Sequence, residues 1–336
     1  MAECNTPARP AEKRKPPFPE SGVFMKTIAI LVSTAAMAFG GEVLTPRIDS
    51  EWWQVAGDPD LGRYTNPKQQ PVDFAIWQAA DGTWQLWSCI RHTRCGGQTR
   101  LFHRWEGKRL TDAHWQPMGV AMQADTALGE TEGGLQAPYV FKEKERDYMV
   151  YGDWQRICLA TSTEGKTFTR VLNERGQPDL FSGPYDNSRD PMMMKLGNLY
   201  YCYYMGHKKG AVHQSAVFCR TSDNLKHWSE PMMVAAGGEA ATQTTWFGGA
   251  AECPFVVQKD DIFYLSRTQR YGRDNLSTLY ASRNPLCFGV GDDRWRIGTL
   301  PVAAPEIIHY KGQWYIAALN PALDGIRLAR LRWVRQ

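Results

Sequence analysis

Two short motifs carry the side chains best suited to chemistry, Arg189-Asp190-Pro191 and Glu252-Cys253-Pro254. Each sets a carboxylate just ahead of a proline, and Val72-Asp73-Phe74 repeats the arrangement upstream with phenylalanine in the proline's place. Carboxylates that share a pocket poor in water repel one another, so one keeps its proton at a pH where another is ionised. Cleavage of a glycosidic bond needs that split. One carboxylic acid protonates the departing oxygen, while a carboxylate works on the opposite face of the sugar, as nucleophile or as the base that activates a water. Asp73, Asp190 and Glu252 are therefore the candidate catalytic residues, on condition that the fold gathers positions far apart in the chain.

The device that would gather them is an internal repeat. Five segments share an apolar strand, a turn carrying Gly or Asp, and a second strand of alternating aromatics: Val72 to Trp87, Gln136 to Tyr151, Arg189 to Tyr201, Glu252 to Leu265, and Pro305 to Ile316. Each reads as a β-hairpin. Phe74, Pro138, Pro191, Pro254 and Pro305 mark the phase, at intervals of about 50 to 65 residues, which is room for about four strands. Third strands follow, entering turns rich in Ser, Asp and Gly, as in Leu159 to Gly165 and Cys219 to Asn224. No helical period of useful length interrupts them. The pattern predicts an all-β fold, a five-bladed propeller of four-stranded antiparallel blades around a central channel; a pair of β-sandwiches is the alternative, though sandwich strands rarely repeat one hairpin in phase. In a propeller the first strand of each blade lines the channel, so the residues ahead of each proline meet at one mouth. By this reading they are Asp73, Gln136-Ala137, Asp190, Glu252 and Ala304.

These motifs resemble those of the five-bladed propeller glycoside hydrolases: invertases, levanases and inulinases of family 32, fructosyltransferases of family 68, and arabinanases and xylosidases of family 43. The likeness covers nearly all of the chain beyond its leader, and it is sharpest at Arg189-Asp190-Pro191 and Glu252-Cys253-Pro254. It implies that Glu252 is the general acid/base, that Asp190 stabilises the transition state and that Arg189 holds sugar hydroxyls. Invertase-like enzymes open with Asn-Asp-Pro-Asn-Gly, whose Asp is the nucleophile. This chain has Val72-Asp73-Phe74-Ala75-Ile76 there. Family 43 instead implies Asp73 as base, Asp190 as modulator of its neighbour's pKa and Glu252 as acid, in an inverting reaction. The resemblance leaves both open.

A sugar offers apolar C–H faces to aromatic rings and hydroxyls to polar groups. By position, Trp77, Trp154, Trp246 and Tyr271 are candidate platforms, and Gln136 and Asp153 candidate polar contacts. His92, His207, His213 and His309 show no metal-ligand spacing and read as core or surface residues. No cofactor or catalytic metal is implied. A structural calcium ion in the channel is compatible with the sequence, because oxygen ligands leave little trace in it.

Composition bounds the rest. Lys and Arg number 39 against 35 Asp and Glu, with no basic run beyond residue 26, so nothing asks for a nucleic-acid partner. Hydrophobic residues at 43% can build a large core, and Trp 13, Tyr 14 and Phe 13 suit strands and sugar faces alike. Residues 1–24 read as an extension upstream of the true start, and Met25 to Ala38, apolar and ending Ala36-Met37-Ala38, as a signal peptide. Residues 39–336 then form one propeller domain, secreted or periplasmic, with no membrane partner once the leader is cleaved and an oligo- or polysaccharide as substrate. Cleavage removes Cys4 and leaves an odd number of cysteines. Cys89 with Cys95 and Cys202 with Cys219 are candidate disulfides; buried free thiols are the alternative. Two functions fit: a glycoside hydrolase, or a carbohydrate-binding propeller that has lost turnover.

Overall fold

The computed structural model describes residues 41–210, 214–244 and 249–335. The leader, the upstream extension, His213 and Trp246 lie outside them. Two N-terminal strands, β1 (Leu44–Ile48) and β2 (Trp53–Gly57), precede five antiparallel sheets. Blade one is β3 (Gln70–Gln78), β4 (Trp84–Arg91), β5 (Leu101–Gly107) and β6 (Gln116–Met122). Blade two is β7 (Gln136–Glu143), β8 (Arg146–Gly152) and β9 (Arg156–Ser162), with β10 (Thr169–Arg170) and β11 (Asp179–Ser182) both paired to β9. Blade three is β12 (Asn187–Leu196), β13 (Leu199–His207), β14 (Ser215–Ser222) and β15 (Met232–Ala236). Blade four is β16 (Glu252–Lys259), β17 (Ile262–Arg270), β18 (Leu276–Ser282) and β19 (Arg296–Leu300). Blade five is β20 (Glu306–Tyr310), β21 (Gln313–Leu319) and β22 (Gly325–Arg335), completed by β1 and β2 from the other end of the chain. The five expected hairpins are all present. In blades two and five the outer position is divided between two short strands, where a single fourth strand was expected.

Closure by β1 and β2 gives β22 a partner along both halves of its outer edge, Ile48 against Leu331 and Trp53 against Leu328. Pairing an edge that would otherwise stay open removes a template for aggregation. The turns after the third strands share one device. The Ser162 hydroxyl accepts from the backbone of Glu164 and Gly165, Ser222 from Asn224 and Leu225, and Ser282 from Asn284. A serine oxygen closing its own turn explains why those segments are rich in Ser, Asp and Gly. Among the described residues the one α-helix is Gly238–Thr242, far too short to cross a membrane.

Apolar faces of neighbouring blades pack together between the sheets. Trp77 shows the pattern: it leaves β3 and meets Trp87 of its own blade at 6.2 Å and Phe168 of blade two at 5.8 Å, ring centre to ring centre. Its indole N–H donates to the Gly165 carbonyl at 2.8 Å. A ring so placed joins two blades and cannot act as a sugar platform, the role expected for it, because it lies four residues down β3 from Asp73, on the blade interface rather than at the channel mouth.

The disulfide expectation is also corrected, since every described cysteine is a free thiol. In the β13–β14 register Cys219 lies opposite Tyr203 and Cys202 opposite Arg220. An offset of one residue turns the two side chains to opposite faces of the sheet. Cys89 Sγ instead contacts the Leu135 carbonyl, and Cys95 Sγ the Arg100 carbonyl.

Trp77→Ala is expected to cost about 3 to 5 kcal/mol of unfolding free energy, measured by urea denaturation, as a large buried ring is lost from the interface. A cost below about 1 kcal/mol would show that Trp77 does not join the blades.

Candidate functional site

The site is built on a backbone feature repeated in all five blades. Asp73, Ala137, Asp190, Cys253 and Ala304 have φ of 39°, 40°, 54°, 45° and 50°, and each stands directly before Phe74, Pro138, Pro191, Pro254 or Pro305. Left-handed conformations are uncommon in residues with a Cβ and are kept where surrounding structure enforces them. In blades one to four this residue sits within a β-bulge, marked by register shifts between Val72 and Phe74, Gln136 and Tyr139, Arg189 and Met192, and Glu252 and Phe255. A bulge re-aims the side chains on either side of it.

This frame corrects the alignment of the acids. Asp73 and Asp190 occupy the left-handed position, but in blade four that position is Cys253. Glu252 falls one residue earlier, on the rung that Val72, Gln136 and Arg189 occupy in the other blades. The difference of one residue decides what each side chain faces. Gln136, Arg189 and Glu252 line an outer pocket of about 260 Å³ together with Asp73, Val72, Arg91, Arg100, Trp154, Asn187, His207 and Tyr271. The residues from the left-handed position inward, Asp73-Phe74, Ala137-Pro138, Asp190-Pro191, Cys253-Pro254 and Ala304-Pro305, line a separate cavity of about 30 Å³. That is room for about one water molecule. The four prolines and Phe74 thus close the channel beneath the pocket.

Of the sequence candidates, Asp73, Gln136, Trp154, Arg189, Glu252 and Tyr271 share the outer pocket, and Asp190 stands at its base. Asp153 does not reach it. Its carboxylate is fully buried and accepts from the backbone N–H of Arg156 at 2.9 Å and from its guanidinium at 2.5 and 3.0 Å. It closes the turn after β8 and is no substrate contact. Arg91, Arg100, Asn187 and His207 belong to the pocket and were not foreseen as site residues. A signal for two of them was present. The end of a hairpin away from its turn lies at the channel mouth, and Arg91 and His207 end their hairpins opposite Gln70 and Asn187.

Glu252 is held by a chain of polar contacts. The Trp154 carbonyl accepts from Asn187 Nδ2 at 2.5 Å, Asn187 Oδ1 accepts from Arg189 Nη1 at 2.5 Å, and Arg189 Nη2 donates to Glu252 Oε1 at 2.5 Å. Arg189 and Glu252 are 7% and 6% exposed, so the pair is desolvated. Loss of water raises the Glu252 pKa most; the Arg189 charge opposes this, and Asp190 adds to the rise, leaving the carboxyl pushed up to about 8. Asp73 also titrates above the ordinary carboxylate range, through burial and the charge of Asp190, against the pull of Arg100, a hydrogen bond from Cys253, and Arg91.

Cys253 stands between the two aspartates. Its backbone N–H donates to Asp190 Oδ2 at 3.0 Å, and its thiol lies 3.2 Å from Asp73 Oδ1 and 3.7 Å from Asp190 Oδ2. Burial and the adjacent carboxylates raise both the thiol and the Tyr271 phenol well above their usual pKa values, so both keep their protons. With the thiol hydrogen directed at Asp73 Oδ1, the Tyr271 hydroxyl, 3.3 Å away, donates to Sγ. The ligand atoms of Asp73, Asp190 and Cys253 lie within 4.8 Å of one another, close enough in principle for a metal ion. Two carboxylates and a thiol do not suit the structural calcium considered from the sequence, which takes about six to eight oxygen ligands. Asp190 Oδ1 and Gln136 Oε1 are buried without a hydrogen-bond partner among the described residues.

Sequence comparison alone matches the chain to no family model and to no curated protein. Comparison of structures finds many likenesses. A thermostable family-43 glycoside hydrolase shares 17% identity at a TM-score of 0.59, over 80% of this chain and 91% of its own. An endo-1,4-beta-xylanase from Bacteroides thetaiotaomicron shares 15% at 0.58, over 77% and 90%. A family-43 enzyme from Xanthomonas citri in complex with xylotriose shares 14% at 0.57, over 82% and 90%.

Native protein treated with a thiol reagent is expected to label exposed Cys287 quickly and half-buried Cys253, whose thiol stays protonated, much more slowly, as read by mass spectrometry of the labelled peptides. Fast labelling that survives Cys287→Ser and disappears in Cys253→Ser would contradict the protonated, hydrogen-bonded state of the Cys253 thiol. At these identities the likenesses establish the architecture: the chain has the five-bladed β-propeller fold found in family-43 glycoside hydrolases.

Proposed function

We propose that the protein is an exported glycoside hydrolase acting on an oligo- or polysaccharide. Glu252 is the general acid, Asp73 the carboxylate that attacks the sugar or activates a water, and Asp190 the positioning acid that raises the proton affinity of its neighbours. The observation that carries this reading is that Asp73 and Glu252 line one buried pocket while Asp190 joins them through Cys253. A general acid must hold its proton at working pH, and burial supplies that for Glu252. Asp73 serves as the ionised partner; Arg100 and Arg91 pull it toward that form, against the burial and the Asp190 charge that raise its pKa. Trp154 and Tyr271 offer rings to the sugar, and Gln136 and Asn187 offer amides to its hydroxyls.

The named activities of the structural neighbours, xylosidase, xylanase and arabinanase, support a glycosidic substrate. One observation favours the second reading, a propeller that binds carbohydrate without cleaving it. Glu252 is tied to Arg189 at 2.5 Å, and an ion pair this close draws the proton off the acid.

Glu252→Gln is expected to lower kcat by at least about a thousandfold on the best substrate in a panel of fructans, arabinans, xylans and galactans, with folding and glycan binding retained; the amide keeps the shape and loses the transferable proton. Turnover like that of the wild type in this variant would remove Glu252 as the acid. Wild-type protein that binds glycans and cleaves none would leave the binding reading. Proton NMR of the first-formed anomer separates a retaining from an inverting course.

A further inference from the structure

Three arginines line the outer pocket, and one of them has a carboxyl partner in direct contact. Arg189 is paired with Glu252. Arg91, at the end of β4, gives its Nε–H to Gln70 Oε1 at 2.8 Å, a neutral acceptor. Arg100, just ahead of β5, holds its guanidinium 5.2 Å above the Trp154 ring, with Nη1 3.9 Å from Cys89 Sγ. Neither Arg91 nor Arg100 forms a salt bridge among the described residues, and both are half-buried. The positive field extends along the rim. Besides partial burial, Arg91, Arg100 and Lys68 all hold His92 below its usual pKa. Lys68 and His92 line an adjoining groove of about 560 Å³, which meets the pocket at the Gln70–Arg91 contact.

Neutral sugars are held by amides, hydroxyls and rings, all of which this pocket already has. Two half-desolvated guanidinium groups that make no salt bridge among the described residues need another explanation, because charge removed from water is costly unless it meets its opposite. A planar fork of N–H donors matches an oxyanion in both charge and shape. A role confined to Asp73 accounts for part of the arrangement, yet it leaves unexplained why the positive field runs on into the groove, away from the carboxylates.

We propose that Arg91 and Arg100 form an oxyanion subsite beside the candidate carboxylates, so that the pocket takes an oxyanion carried by a sugar, such as the carboxylate of a uronic acid, or free as phosphate. The subsite deepens the hydrolase reading by naming a substrate class, and that extension rests on it. The binding of an anion does not.

Wild-type protein is titrated by calorimetry with glucuronate and galacturonate, with glucose and galactose, and with inorganic phosphate. The expected result is binding of each uronate at least about tenfold tighter than its neutral parent, or of phosphate at comparable strength. Arg91→Gln and Arg100→Gln each bring the ratio of acid to neutral affinity close to one, while Arg100→Lys restores part of it and circular dichroism verifies folding. A uronate preference assigns the oxyanion to the sugar. Phosphate binding without that preference assigns it to a free anion. Equal affinity for acid and neutral sugars with no phosphate binding overturns the subsite, and so does anion binding unchanged in both glutamine variants. Failure of the hydrolase reading is distinguishable: anions would bind normally while no glycan is cleaved.

Discussion

At the same point in every blade the chain steps through one left-handed residue before its proline or phenylalanine, and that step decides what stands on either side of it. In blades one to four the residue ahead of the step lines the outer pocket; in all five the residues after it line the inner cavity. Arg189 and Glu252 therefore meet in the pocket although they come from different blades, while Pro191 and Pro254 meet below it. Four of the five steps lie within bulges of the first strand, where pairing with the second strand resumes at once. Asp73, Asp190 and Glu252 are thus anchored on sheet rather than on loop.

Closing the channel with four prolines and a phenylalanine has an electrostatic consequence. The pocket has one face open to solvent and a floor with room for about one water, so charges on that floor are poorly screened. Burial pushes Glu252, in the pocket, and Asp73, which lines both pocket and floor, toward their protonated forms, and the arginines pull the other way. Cys253 serves as a neutral spacer between the aspartates. Its thiol donates to one and its backbone N–H to the other, where an acid at the same position would add a third mutually repelling charge.

The propeller was legible in the sequence because blades are built from hairpins whose turns and prolines recur in phase. The convergence of Asp73, Asp190 and Glu252 on one end of the channel followed from that phase. The single-residue offset of Glu252 did not, because the sign of φ at Cys253 and Asp190 depends on how a first strand bulges against its partner, and both motifs look alike in one dimension. The aromatics divide for a similar reason. Trp77 and Trp154 are equally plausible platforms by composition, but Trp77 lies down a strand between two blades, whereas Trp154, with φ of 82°, lies beyond a hairpin's open end. Asp153 next to it closes a turn that only the position of Arg156 reveals. Arg91 and Arg100 belong to no motif; their significance comes from forming no salt bridge among the described residues, a property of three-dimensional neighbours.

The central claim is that loss of water outweighs the Arg189 charge at Glu252, leaving a protonated carboxyl at neutral pH. Infrared difference spectra of the wild type against Glu252→Gln, recorded across a pH titration, read that proton directly through the carboxylic C=O band. The account predicts a band specific to Glu252 that persists through neutral pH and is lost near about pH 8. Its disappearance below about pH 5, in the ordinary range for a glutamate, would mean that the ion pair prevails and that Glu252 has no proton to give.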